Sequence, residues 1–215
     1  MISFSRSSLA ITASLALLLT VTGCQSLPSN TAPTEQNSSP DTSNDPMTTN
    51  QSLTEQALGI QSALANKDYA SIISDIHPTR GVRFSMYAYV RPQSDKVFSR
   101  AQFTQYLQQS NIRFTWGEKD GTGELLVTPL PKYLETWVNA KQFDNQPTIS
   151  VNDSKAIGNS INNLNQVYQD ADFVEFYHGG SEQYSGMDWR AMRLVFDEYQ
   201  GQRYLVAIIS DQWTI

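Results

Sequence analysis

The chain has 215 residues and carries 15 Lys and Arg against 21 Asp and Glu, a formal charge of −6, which excludes a general nucleic-acid binder because that needs a basic surface to displace counterions. A single cysteine excludes an internal disulfide framework and a Cys-rich metal site, and two histidines far apart leave little for a His-based one, so neither metal nor cofactor is expected. Apolar residues make up 40% and charged residues only 17%, so an uncharged polar segment dilutes the core.

The N-terminus reads as a targeting segment. A polar start with one positive charge, Arg6, precedes an uncharged apolar run from Leu9 to Val21. That run is within the roughly 7–15 residues of a signal-peptide core and short of the ~20 that span a bilayer. The following Val21-Thr22-Gly23-Cys24 resembles a bacterial lipobox. The resemblance implies cleavage between Gly23 and Cys24, with lipid on the Cys24 sulfur and on the new amino group. An ordinary signal peptide with a stray cysteine, or an uncleaved anchor, is the competing reading. Several acyl chains make attachment effectively permanent, at ~0.8 kcal/mol per buried CH₂. Residue two of the mature chain is then Gln25 rather than Asp, which by the same resemblance implies a bacterial envelope protein at the outer membrane.

Residues 25–52 are rich in Ser, Thr, Asn and Gln, with Pro28, Pro33, Pro40 and Pro46, and the only apolar residues are Leu27, Ala32 and Met47. Such a segment buries too little to offset chain entropy and is expected to be a disordered tether reaching about 30 Å. Residues 53–215 are the length of a single domain.

Within that domain Ser52-Leu-Thr-Glu55 has the form of a capping box, followed by Ala57, Ile60 and Leu64 at helical spacing. Tyr69, Ile72, Ile73 and Ile76 predict a second short helix that stops at His77-Pro78. Val82–Val90 reads as a strand. Ser99-Arg-Ala-Gln102 is another capping box, opening a helix with Phe103, Tyr106 and Leu107 inward. Thr128-Pro129 starts a helix whose face is Leu130, Leu134, Trp137 and Val138. A strand within 149–157, a short helix within 161–168 and a strand over 173–177 follow.

The firmest expectation is a C-terminal hairpin turning at Gln200-Gly201, which pairs residues whose numbers sum to 401. That register stacks Phe196 on Leu205, Leu194 on Ala207 and Met192 on Ile209. It also sets Glu198 against Arg203 and Arg190 against Asp211. Helices first and a long hairpin last predict an α+β domain with helices on a curved antiparallel sheet. The order of elements resembles the NTF2-like or cystatin-like cone. The stretches His77–Ser85, Thr115-Trp-Gly117, Gly186–Arg190 and Asp211–Ile215 resemble those of a family of bacterial lipoproteins of uncharacterised function, over most of residues 70–215. That likeness implies a shared domain and supplies no reaction.

Candidate sites each carry a competing structural reading. His77, Arg80 and Arg83, beside Tyr87 and Tyr89, form the densest polar cluster and suit a ligand carboxylate or phosphate. Equally, they suit a helix C-terminus, with Gly81 as the turn. The glycine-rich run His178–Met187, leading into Asp188, Trp189 and Arg190, lines a ligand mouth or is a connection. Arg193 lines a cavity or pairs with Asp197 in solvent. Glu118–Glu124 lacks the spacing of a calcium loop and reads as a tight turn. Nucleophile-elbow, phosphate-loop and dinucleotide signatures do not occur, and Asp188 and Asp75 are the weak nominees for an acid–base residue. The sequence therefore favours a membrane-anchored module that binds a small ligand or an envelope protein, with a tethered acid–base enzyme as the alternative.

Overall fold

The computed structural model describes residues 46–156, 158 and 161–215. The lipobox with Gly23 and Cys24, and the tether up to residue 45, lie outside the described residues. All described residues belong to one compact unit, Ser43–Ile215. No helix among them is long and apolar enough to cross a membrane.

Helix α1 (Pro46–Ala65) begins six residues before the expected Ser52 cap, so the segment 46–52 is helix rather than tether. Ser52 lies inside the helix, where its Oγ accepts from Arg203, and Glu55 accepts from Gln51 one turn earlier. Leu53, Ala57, Ile60 and Leu64 form the buried stripe, as their spacing predicts. The expected second helix is a single 3₁₀ turn, Ser71–Ser74, and Ile72 and Ile76 still turn inward. Helix α2 (Arg100–Gln108) opens on the anticipated capping box, with Ser99 and Gln102 bonding each other's backbone N–H. In the third helical segment Pro129 is the cap and Pro131 lies in the first turn. There α3 (Leu130–Tyr133) runs into one π-helical turn, Leu134–Val138, which ends at Asn139 in the left-handed region.

The main sheet has six strands: β1 (Val82–Ser85), β2 (Lys96–Phe98), β5 (Thr148–Val151), β6 (Asp172–His178), β7 (Arg190–Tyr199) and β8 (Gln202–Gln212). Their order is β2-β1-β8-β7-β6-β5. A separate hairpin pairs β3 (Phe114–Glu118) with β4 (Leu125–Thr128). The fold is α+β as expected, but the sheet is mixed rather than antiparallel, because β1 runs parallel to β8. Alternation of apolar residues reports a strand's faces and not the direction of a partner more than a hundred residues away. Gly81, at φ 69°, makes the turn into β1, and a Cβ there would lie 2.4 Å from the Phe98 carbonyl oxygen. The strand expected over residues 82–90 therefore ends at Ser85, whose hydroxyl folds the next residues by donating to the carbonyls of Tyr87 and Tyr89.

The C-terminal hairpin turns where expected, with Gln200 and Gly201 both left-handed, φ 54° and 75°, as a type I′ turn requires. Phe196↔Leu205 and Glu198↔Arg203 keep the anticipated register. Between Val195 and Phe196 the register shifts by one, because β8 carries an extra residue at Val206. From there on Leu194 faces Ile208, Met192 faces Ser210, and Arg190 faces Gln212 instead of Asp211.

Both faces of the sheet are covered. Met192, Leu194, Phe196, Leu205 and Ile208 join the main core under α1, α2 and α3. There Phe84 contacts Phe98, Phe103, Trp116 and Tyr133, and Trp116 stacks on Tyr133 at 3.7 Å. Val195, Val206, Ala207 and Ile209 face a smaller cluster with Val90, Phe173 and the short helix α4 (Leu164–Val167) with its following Tyr168.

Candidate functional site

The sequence cluster His77, Arg80 and Arg83 is brought together, but each side chain is already engaged. His77 is 2% exposed, and its Nδ1 accepts from the backbone N–H of Thr79 and Arg80 at 3.2 and 3.0 Å. Its ring packs against Tyr199 and Tyr204. Burial lowers its pKa; Asp197 opposes that shift, while Arg80 and Arg100 add to it. His77 is thus the internal cap of the turn into β1. Arg80 pairs with Asp197 and lies over the Tyr168 ring, while Arg83 donates through Nε to the Tyr168 hydroxyl at 3.1 Å. The arginines knit β1 to the second face of the sheet, and Arg80 with Asp197 and Tyr168 also lines an open cleft of about 410 Å³.

Arg193 neither lines an open cavity nor meets Asp197. It is fully buried, its Nε donating to Glu175 Oε2 at 2.7 Å and its Nη2 to Asp211 Oδ2 at 3.1 Å. Glu175 sits directly across from it on β6, and its other oxygen accepts from the N–H groups of Lys155 and Ala156. Asp211 reaches the same face only because of the extra residue at Val206, since without that shift it would point into the main core. Glu175 was missed in the sequence, although a lone carboxylate amid Phe173, Val174 and Phe176 is a readable signal of a buried partner. Nη1 of Arg193 is buried without a partner among the described residues.

The two acid–base nominees are likewise structural. Asp188 is solvent-exposed and accepts from Ser181 N and Oγ, and these bonds hold its carboxyl below the usual range. It closes the glycine-rich loop as a connection. Asp75 contributes its carbonyl to Leu205 N at 2.7 Å and its carboxylate to Gln56, extending the parallel pairing onto β8. Trp189 is buried beside Tyr177. Arg190, expected opposite Asp211, donates to the Trp137 carbonyl instead, and burial lowers its pKa.

A groove with an arginine that is not already paired lies elsewhere. A groove of about 510 Å³ is lined by Tyr87, Tyr89, Arg91, Lys119, Asp120 and Thr214, among others. The residues after β1 form one wall. Asn163 fixes it by accepting from Val90 N and donating to Val90 O, as a neighbouring strand would. The β3–β4 turn forms the other wall, closed by Lys119 N to Glu124 O and docked by Asp120 N donating to the Tyr87 hydroxyl at 2.9 Å. The tight turn read at Glu118–Glu124 is therefore present. Gly121, at φ 78°, approaches Ile215 so closely that a Cβ would lie 2.1 Å from its Cδ1.

Tyr89 is 43% exposed, and the Arg91 guanidinium lies 6.0 Å from its ring centre. Arg91 has no ion pair among the described residues. The acid beneath it, Asp95, accepts from Arg91 N at 2.8 Å and lies 4.0 Å from Arg83. Burial raises the pKa of Asp95 above its ordinary value, opposed by the Arg91 N–H and Arg83. Arg91 and Asp95 had no signal in the sequence, because the segment carrying them is an unpatterned loop, and Lys119 and Asn163 lie in segments read only as a turn and a short helix. No group of His, Cys, Asp and Glu suited to hold a metal occurs among the described residues.

No family model matches the chain, and no curated protein does. A solved structure, that of Aln2 from a Streptomyces species, is similar at 12% identity over 76% of this chain and 91% of that chain, with a TM-score of 0.31. A likeness of that score carries no argument about function.

Proposed function

We propose that the protein is a lipid-anchored bacterial envelope lipoprotein, held through Cys24 and placed at the outer membrane by Gln25, whose α+β domain is a binding module. The observation that carries the binding reading is the open groove. It sets the exposed ring of Tyr89 beside a guanidinium, Arg91, that has no carboxylate of its own among the described residues. Such a wall suits a small ligand, or a segment of an envelope protein, that offers an acidic group to Arg91 and a flat face to Tyr89. The acid–base alternative needs an unpaired buried carboxylate. Glu175, Asp211 and Asp95 each lie within 4.0 Å of an arginine, which favours binding over chemistry.

The finer fold reading, an NTF2-like or cystatin-like cone, is part of the same proposal. It is supported by α1 packed against a sheet that ends in a long hairpin. The hollow a ligand uses in a cone is here occupied by Phe84, Phe103, Tyr133 and Phe176, so the groove is the better place for one.

For the anchor, Cys24→Ser is expected to abolish incorporation of a labelled fatty acid and release the full-length protein from membranes. A variant that stays labelled and membrane-bound overturns the lipid reading. For the groove, mass spectrometry of the protein purified from membranes is expected to find a copurifying acid that Arg91→Ala loses, with stability changed by less than about 0.5 kcal/mol. An adduct kept by Arg91→Ala, or none on the wild type, overturns the groove reading.

A further inference from the structure

Two arginines of β7, Arg190 and Arg193, point to opposite faces of the sheet. Arg193, on the second face, gives the side-on edge of its guanidinium, Nε and Nη2, to Glu175 and Asp211. Arg190 shares the face of Met192 and Leu194 and is half-buried at the end of the main core. Its Nη1 donates to the Trp137 carbonyl at 3.1 Å, whereas Nε and Nη2 have no partner among the described residues. Neither nitrogen is among the unpartnered atoms sealed from solvent, so this edge is reached from outside.

The fold itself deprives Arg190 of an acid. In an unbroken ladder Asp211 would stand opposite it. The extra residue at Val206 turns Asp211 to the second face, where Arg193 takes it, and sets the neutral Gln212 opposite Arg190. On the other side β6 sets His178 opposite Arg190. His178, Arg190 and Gln212 thus form one row across three strands, on one face, with no carboxylate in it. The ionisable group acting on the Arg190 charge is the Tyr87 hydroxyl rather than an acid, and burial lowers the Arg190 pKa. A guanidinium partly withdrawn from water without a counter-charge is costly, and such charges are normally paired.

We propose that Arg190 receives the carboxylate of a small organic acid, its two oxygens lying side-on against Nε and Nη2 between His178 and Gln212. This edge of a guanidinium matches the spacing of carboxylate oxygens, and Arg193 uses the same edge for two of them. The Gln212 amide supplies a further donor beside it. One guanidinium balances one negative charge, which suits a carboxylate better than a phosphate monoester carrying about −1.5 to −2. None of the three residues lines the groove of Arg91, so the two sites are separate.

The test follows the ¹⁵N–¹H signal of Arg190 Nε in the full-length protein, assigned by its loss in Arg190→Lys, during titration with benzoate or with its neutral isostere benzamide. Benzoate is expected to shift the signal saturably and to bind at least about tenfold more tightly than the amide, with the Arg193 Nε signal unmoved. An equal concentration of inorganic phosphate is expected to leave the benzoate in place. Gln212→Glu sets a carboxylate of the chain itself opposite Arg190 and is expected to weaken benzoate at least about tenfold. Its melting temperature should be no lower than that of wild type, because opposite charges then face each other across the ladder. Arg91→Ala should leave the Arg190 shift and the affinity it reports unchanged. The proposal is overturned by the absence of a saturable shift, by an equal affinity for the amide, by displacement with phosphate, or by full affinity in Gln212→Glu. Loss of the shift in Arg91→Ala would assign the acid to the groove and also overturn it.

Discussion

His77 shows how a residue type associated with chemistry can be consumed by backbone. Its Nδ1 takes two N–H groups of the turn that starts β1, and this requires the neutral ring with the proton on Nε2. Because burial lowers its pKa, the unfolded chain binds the proton more readily than the native protein does. The sign follows from that difference. His77 contributes stability above the ordinary histidine pKa of 6.5, and this contribution is lost as pH falls from there toward the lowered native value. Denaturant titrations from pH 8 to 5 are expected to show stability falling, with a slope below about 1.4 kcal/mol per pH unit, the limit for one proton. His77→Ala should flatten that slope and cost roughly 1–3 kcal/mol at pH 8 by orphaning two N–H groups. A variant with unchanged slope and stability would return His77 to the pool of functional residues.

At the scale of the element, the hairpin β7–β8 carries most of what the sequence could say about the fold, and also its main surprise. The turn and the first four pairs follow from Gln200-Gly201 and the alternation beside it. The extra residue at Val206 has no such signature, because Val206 and the neighbouring Ala207 are both apolar and suit either face. The bulge sends Ile208 into the main core and Asp211 onto the face of Arg193, so one inserted residue decides where a buried charge goes. Gln200 holds φ 54° with a side chain poorly suited to it. Gln200→Asn, which tolerates that conformation better, is expected to raise stability by about 0.5–1 kcal/mol in thermal unfolding. A lower melting temperature would mean the turn is not of the type described.

For the whole molecule, the informative feature is a sheet covered on both faces with a buried ionic group lying within it. Glu175, Arg193 and Asp211 come from three adjacent strands, β6, β7 and β8. Removing only the cation strands two buried carboxylates, and Arg193→Met is expected to cost roughly 3–5 kcal/mol in urea unfolding. Replacing all three by apolar residues (Arg193→Met with Glu175→Leu and Asp211→Leu) should recover part of that loss, since the desolvation of every charge is then avoided. If the triple variant is no more stable than the single one, stranded carboxylates are not the source of the loss in Arg193→Met.

Elements whose signals are local were legible. The capping box at Ser99, the α1 stripe, the turn at Gln200-Gly201 and the α+β class follow from spacing within a few residues. The candidate sites were not legible, because a histidine or arginine in a list of residues does not reveal its partner. His77 is satisfied by its own turn, Arg80 by Asp197 and Arg193 by two other strands. The groove around Arg91 is likewise built by segments far apart in the chain. The sequence by itself determined the apolar stripe of α1, the cap at Ser99, the turn at Gln200-Gly201 and the α+β class, since those depend on period, element order and short-range sterics. Only the tertiary structure decided which charges are neutralised and which remain open to a ligand, because that depends on parallel pairing, a one-residue bulge and contacts between distant segments.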